Sequence, residues 1–204
     1  FALNHHFNEL NVFGYHLVNF IIHYLAALFL FLFIYNTLML PLFKDKYISI
    51  AYPIALLATY FWAINPVQVT AVSYIVQRMA SMAGMFYIMS MYFYLKSRTH
   101  TKLFHSIIYF LLCVFTGILA ILSKENAVMI PVSILFYELF LIRGLNKENV
   151  KNILKIIIIP VVIILVSLTI YTDFSTVFGG FETRDFTMMQ RLLTEPRVIL
   201  FYLS

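Results

Sequence analysis

Residues 15–40 read YHLVNFIIHYLAALFLFLFIYNTLML, without a single charged side chain. A helix needs ~20 mostly apolar residues to cross a bilayer, and this run exceeds that. Its polarity does not alternate, so it does not read as a barrel strand. Five further stretches share its character: 48–64, 79–95, 103–122, 127–142 and 153–171. The second, third and fifth of the six are short for a crossing and would borrow residues from their flanks. The fold class expected is all-α, a polytopic bundle of six spanning helices with interfacial helices, filling residues 1–204 as one membrane domain.

Composition points the same way. Apolar residues make up 62% of the chain and charged residues 11%, whereas soluble domains average roughly 25% charged. Such a chain cannot cover itself with polar groups in water, and an integral membrane protein is expected. The formal charge of +5 lies in short loops beside apolar runs, which argues for topology rather than a nucleic-acid partner. The single cysteine, Cys113, lies within an apolar run and reads as a small packing residue. The chain opens on Phe1, without a signal-peptide pattern, and stops at Ser204 inside an apolar run. Both ends read as cuts.

Lys and Arg in short loops set orientation. Nine of them (Lys44, Lys46, Lys96, Arg98, Lys102, Arg143, Lys147, Lys151, Lys155) fall on one side and five (Arg78, Lys124, Arg184, Arg191, Arg197) on the other. The first side is expected to be cytoplasmic. The external segments are then 1–14, 65–78, 123–126 and 172–197, with a further helix beginning at 196–204. Trp62 would sit at the outer interface.

Local signals accompany these segments. Asn65-Pro66 offers an N-cap and a first-turn proline, opening a helix at the interface with Asn65, Gln68, Ser73 and Gln77 near one face. Ser123 is placed to cap the fifth span, with Glu125 in its first turn. Residues 187–195 are short and amphipathic, and Thr194-Glu195-Pro196 reads as a new helix start. Pro131 and Pro160 are candidate kinks. Met79, Met82, Met85 and Met89, with the small pair Ala80 and Gly84, read as helix packing.

Candidate site residues gather in the outer half. Arg78 lies where a charge is costly unless solvated or paired, and its fork suits a phosphate or carboxylate. An interfacial anchor or structural ion pair is the plainer alternative. Lys124 has the charge to bind an anionic headgroup, and Glu125 to orient Arg78 or a hydroxyl; an ordinary acidic helix start is the alternative. His16, Asn19 and His23 share one helical face, and interhelical hydrogen bonding is the favoured reading. The histidines show no recognised metal-ligand spacing, and no metal or cofactor is expected. Glu138 would reach the inner interface or pair with a base. Arg191 and Arg197 neighbour apolar helical stretches in the last external segment. No nucleophile elbow, P-loop, dinucleotide fingerprint or zinc-protease motif is present.

Four stretches, NVFGYHLVNFIIHYL, AINPVQVTAVSYIVQRMASMAGMFYIMSMYFYLKSR, LSKENAVMIPVSILFYE and FTMMQRLLTEPRVILFYLS, together resemble the GT-C glycosyltransferases. Specifically, their order is similar to the transmembrane and tetratricopeptide-repeat O-mannosyltransferase family and its bacterial relatives. Asn65-Pro66 stands where eukaryotic members have His-Pro, which brings the chain nearer the bacterial relatives. The resemblance implies transfer of a sugar from a polyprenyl-phosphate donor to a protein or glycan hydroxyl. The enzyme would sit in a bacterial inner (plasma) membrane with its active face extracytoplasmic. It implies an acidic base upstream of Phe1 and a tetratricopeptide domain beyond Ser204. Arg78, then Lys124, then Arg191 would stabilise the leaving phosphate, Glu125, Gln77 and Gln68 would orient substrate or cations, and Asn65 and His16 would belong to the same substrate-binding site. A non-catalytic scaffold is the main alternative within the membrane, and a transporter another.

Overall fold

The computed structural model describes residues 11–144, 146, 148 and 188–203. All regular structure among them is helical. Chain contacts divide it into two units, Phe1–Asn146 and Lys147–Ser204.

In the first unit, α1 (Val12–Leu38) begins where the Asn11 side chain accepts the Phe13 N–H at 3.0 Å. A short α2 (Pro41–Tyr47) has proline in its first turn and Lys44 and Lys46 in its last, where the helix dipole favours cations. Next comes α3 (Ala51–Ala63). The chain then turns, and Asn65 caps the next piece by accepting the Val67 N–H at 3.0 Å, with Pro66 following, as expected. A 3-10 turn (Pro66–Gln68), α4 (Val69–Ser73), extended backbone at Tyr74 and a second 3-10 turn (Ile75–Gln77) lead into α5 (Arg78–Thr99). After α6 (Leu103–Ser123), a 3-10 segment (Glu125–Met129), α7 (Ile130–Tyr137) and a π-helical segment (Glu138–Arg143) run on to Gly144. Gly144 has φ 76°, which glycine adopts at little cost.

Three helical stretches are long and apolar enough to cross a membrane: Val12–Leu38, Leu103–Ser123 and Glu125–Arg143. The pieces Ala51–Ala63 and Pro66–Ser73 make a fourth if their 55° bend lies within one span. These helices mark the chain as an integral membrane protein. They coincide with the first, fourth and fifth expected stretches, and the bent pair with the second. The third stretch forms α5, long but less apolar. Its buried residues include Ala83, Met85, Ser90, Met91 and Leu95, and it packs against α1, α6 and α7. A helix surrounded by protein can carry small and polar groups that a lipid-facing helix cannot. The sixth stretch, 153–171, and Pro160 lie outside the described residues.

Polar side chains join the helices in depth. The Ser90 hydroxyl donates to the Cys113 carbonyl at 2.9 Å, and Ser106 to the Ser97 carbonyl at 2.6 Å. Gly117 lies at the first of these contacts, where a Cβ would sit 3.4 Å from Ser90 Oγ, an ordinary van der Waals distance. Further along, Thr37 meets Tyr137 at 2.7 Å and Tyr87 meets Ser133. Glu138 is the buried hub at one end, as a partner for bases: Arg98 and Arg143 reach it at 2.8 and 2.7 Å, and Tyr94 donates at 2.8 Å. Met82, Met85 and Met89 pack with Ile22, Ala26 and Trp62, while Met79 is exposed.

Three local expectations are corrected. Ser123 does not cap the fifth span; its hydroxyl donates back to the Leu119 carbonyl at 2.7 Å and closes α6. Pro131 does not kink a helix, because it occupies the first turn of α7, where its missing N–H has no partner to lose. In the second unit, Thr194-Glu195-Pro196 does not start a helix. α8 (Met188–Leu203) runs through Pro196 unbroken, with the Thr194 hydroxyl donating to the Gln190 carbonyl at 2.6 Å.

Candidate functional site

α5 and α6 run antiparallel. Ser90 pairs with Cys113 and Ser97 with Ser106, and the shared sum of residue numbers extends the register to Met79 and Lys124. One end of the bundle therefore holds the start of α1, residues 65–78 and the 124–129 segment. The other holds Glu138, Lys96 and α2. They are termed the Arg78 end and the Glu138 end.

At the Arg78 end the broken segment 65–77 is bound to α1. The Val72 carbonyl accepts from Asn19 Nδ2 at 3.2 Å and lies 3.3 Å from His16 Nδ1. His23 Nε2 lies 3.0 Å from the Ala63 carbonyl. The stripe of His16, Asn19 and His23 is thus a set of interhelical hydrogen bonds, as favoured from the sequence. On the other flank, the Ser81 hydroxyl meets the Ala71 carbonyl at 3.3 Å. Breaking a helix at Tyr74 frees carbonyls that lipid cannot satisfy, and these side chains satisfy them.

Arg78 opens α5 and turns inward. Its Nε donates to Asn19 Oδ1 at 2.7 Å, its Nη2 donates to the Tyr15 carbonyl at 2.9 Å, and the guanidinium lies 5.6 Å from the Tyr15 ring centroid. Only 5% of the residue is exposed. Asn19, itself fully buried, thus joins α1, the 65–77 segment and α5.

Beside this clamp lies a cavity of about 270 Å³, lined by His23, Trp62, Gln68, Gln77, Ser81 and Gly84 among others. His23 and Trp62 stack with ring centroids 5.2 Å apart. Trp62 is therefore a wall of the cavity, held on His23, as well as an aromatic near the bundle end. Ala80 and Gly84, expected as a helix-packing pair, face this cavity instead. A Cβ built on Gly84 meets nothing within 4 Å. The cavity offers amide, hydroxyl and imidazole groups around a flat aromatic face. It fits a small polar ligand with an apolar side.

The sequence candidates separate into groups. Gln68 and Gln77 line the cavity and His16 and Arg78 frame its neighbouring clamp. Asn65 is spent on capping. Lys124 and Glu125 are exposed, and among the described residues neither has a side-chain hydrogen bond or ion pair; Glu125 does not meet Arg78. Arg191 lies on α8 of the second unit, as does Arg197, and residues 172–187 of the expected last loop lie outside the described residues. Ser81, Thr70, Trp62 and Gly84 were not singled out as site residues. A helical projection of 77, 81 and 84 places them on one face, the one signal that was available.

Among the described residues no group of three or more metal-ligating side chains is present. The arrangement defines an all-helical integral membrane protein with a polar cavity at one end of its bundle. The chain matches no family model, no curated protein and no solved structure.

Proposed function

We propose that the chain is the membrane part of a GT-C-type glycosyltransferase, with six spans. It moves a sugar from a polyprenyl-phosphate donor to a protein or glycan hydroxyl, on the extracytoplasmic face of a bacterial inner membrane. The observation that carries this reading is the cavity at the Arg78 end. Its polar groups and the Trp62 face suit a sugar ring, which pairs hydroxyl edges with an apolar face. Arg78 in the neighbouring clamp and Lys124 at the same end of the bundle are the cations this reading assigns to the lipid phosphate.

The reaction is displacement at the anomeric carbon. The acceptor oxygen forms a bond to that carbon as the bond to the phosphate oxygen breaks, and the phosphate leaves with the electron pair. An acidic base takes the hydroxyl proton; the family resemblance puts it upstream of Phe1. Positive charge near the leaving phosphate lowers the barrier. Lys124, exposed at the same end of the bundle, supplies the charge that would meet the phosphate directly. Arg78 supplies a fixed charge from within the clamp. Gln68 and Gln77 hold sugar hydroxyls. Glu125 orients Lys124 or the acceptor, while Asn65 and His16 keep the 65–77 segment in place.

The test is transfer from labelled polyprenyl-phosphate sugars by the purified full-length protein, comparing Arg78→Gln and Lys124→Gln. Lys124→Gln, which loses one charge-assisted contact to the transition-state phosphate, should lower the rate by about 10²–10³-fold, and Arg78→Gln, which removes a charge that does not touch the phosphate, by a smaller factor. Membrane insertion should be intact in both variants. Near-normal turnover in both would remove the phosphate role. Donor binding without any transfer by the wild type would favour the non-catalytic scaffold.

A further inference from the structure

The Glu138 end holds a second, larger cavity of about 710 Å³ whose lining includes Leu40, Leu42, Arg98, Thr99, Phe140 and Arg143. It belongs to none of the chemistry above. Two guanidiniums share one carboxylate there: Arg98 presents Nε and Nη2 to the two Glu138 oxygens at 3.2 and 2.8 Å, and Arg143 Nε reaches Oε1 at 2.7 Å. Of these three side chains, two are cationic and one is anionic. Glu138 is buried, but the Arg98 and Arg143 side chains are 39% and 37% exposed. Nη1 of Arg98 has no partner among the described residues. The rest of the wall is mainly apolar, and Leu42 and Phe140 are exposed to the surroundings.

A cation set in a greasy groove is complementary to a ligand that joins an anion to hydrocarbon. The neighbouring Lys44 and Lys46 of α2 and Lys96 and Lys102 add to the positive field of this end. Such basic pockets between spanning helices hold anionic lipid headgroups. The geometry points to an anionic-phospholipid site between the end of α1, the start of α2, the end of α5 and the π-helical segment. The headgroup phosphate accepts from the Arg98 guanidinium, Arg143 contributes its charge, and an acyl chain lies along Leu42 and Phe140. Glu138 is a positioning residue that holds both forks toward the groove. The site is independent of the transferase reading.

The experiment is native mass spectrometry of the full-length protein taken from nanodiscs of mixed phosphatidylglycerol and phosphatidylcholine. The wild type should retain phosphatidylglycerol in preference. Arg98→Gln should weaken that retention about tenfold, the loss expected for one charge-assisted contact. Leu42→Trp, which fills the groove and leaves the ion cluster alone, should weaken it as well. Lys102→Gln, outside the groove lining, should not. Equal retention of the two lipids by the wild type overturns the proposal, as does a folded Arg98→Gln protein that keeps the preference. If Arg98→Gln does not fold, Leu42→Trp decides, and an unchanged preference there overturns it. Inorganic phosphate added as competitor should leave the bound lipid in place. Displacement by phosphate alone would assign the site to a free phosphate and overturn the lipid occupant.

Discussion

Asn19 is the residue on which the Arg78 end depends. It is completely buried, and both ends of its amide are used: the oxygen accepts from Arg78 and the nitrogen donates to the Val72 carbonyl. A charged group near the hydrocarbon is tolerated when its donors are met. Hydrogen bonds between membrane helices contribute on average only about 0.6 kcal/mol, because the alternative state finds partners too. The bond to Arg78 is to a charged donor in a closed site, so a larger effect is expected. Asn19→Leu should destabilise the protein by about 1–3 kcal/mol, the cost of stranding a buried donor. Asn19→Asp, which keeps an acceptor for the guanidinium, should lose much less. Thermal unfolding of both variants in detergent checks the order, and a wild-type melt for Asn19→Leu would show that the clamp carries no net energy.

The element that shapes the cavity is the broken helix between α3 and α5. Its beginning was legible, because Asn65-Pro66 states a cap and a first-turn proline in adjacent residues. Its break at Tyr74 was not. Neither glycine nor proline marks that position, and the cause is tertiary: α1 and Ser81 accept the task of satisfying the Ala71 and Val72 carbonyls. The facing side was misread for a related reason. A small-residue pair on a spanning helix ordinarily signals close packing, but Ala80 and Gly84 leave open space instead. That space makes a direct test. Gly84→Leu meets no neighbour at its Cβ and costs little in a helix, since leucine has the better helix propensity by up to about 1 kcal/mol. Its side chain would occupy a cavity of about 270 Å³. Insertion and thermal stability should be retained, while sugar transfer by the full-length protein falls at least tenfold, a loss of about 1.4 kcal/mol in transition-state binding. Unchanged kinetics in a stable Gly84→Leu protein would place the chemistry elsewhere.

At the scale of the whole molecule, the apolar runs were readable because lipid as solvent demands uninterrupted length, and a run such as Val12–Leu38 meets that demand on its own. α5 was readable from its flanks more than from its polarity, since protein surrounds it and relaxes the demand. The site was legible only as a level in the membrane. Sequence spacing put Arg78, Gln77 and the His16–His23 stripe at one height, but which groups face inward depends on helices that sequence does not orient. Charge gives the remaining coordinate. Among the described residues the Glu138 end carries Lys44, Lys46, Lys96, Arg98, Lys102 and Arg143, and the Arg78 end of the first unit carries Arg78 and Lys124. On the proposed reading, the bias of Lys and Arg toward one face is expected to put that face in the cytoplasm. In a Cys113→Ala background, Asn126→Cys should then react with a membrane-impermeant maleimide on intact cells. His100→Cys, at the other end of α6, should react only after permeabilisation. Both positions are exposed and lie outside the helices or in the 3-10 segment after α6, so access depends on the side of the membrane alone. Labelling of both from one side would mean that α6 does not cross. Reversed labelling would put the cavity in the cytoplasm, where an extracytoplasmic donor could not reach it, and the transferase reading would fall with it.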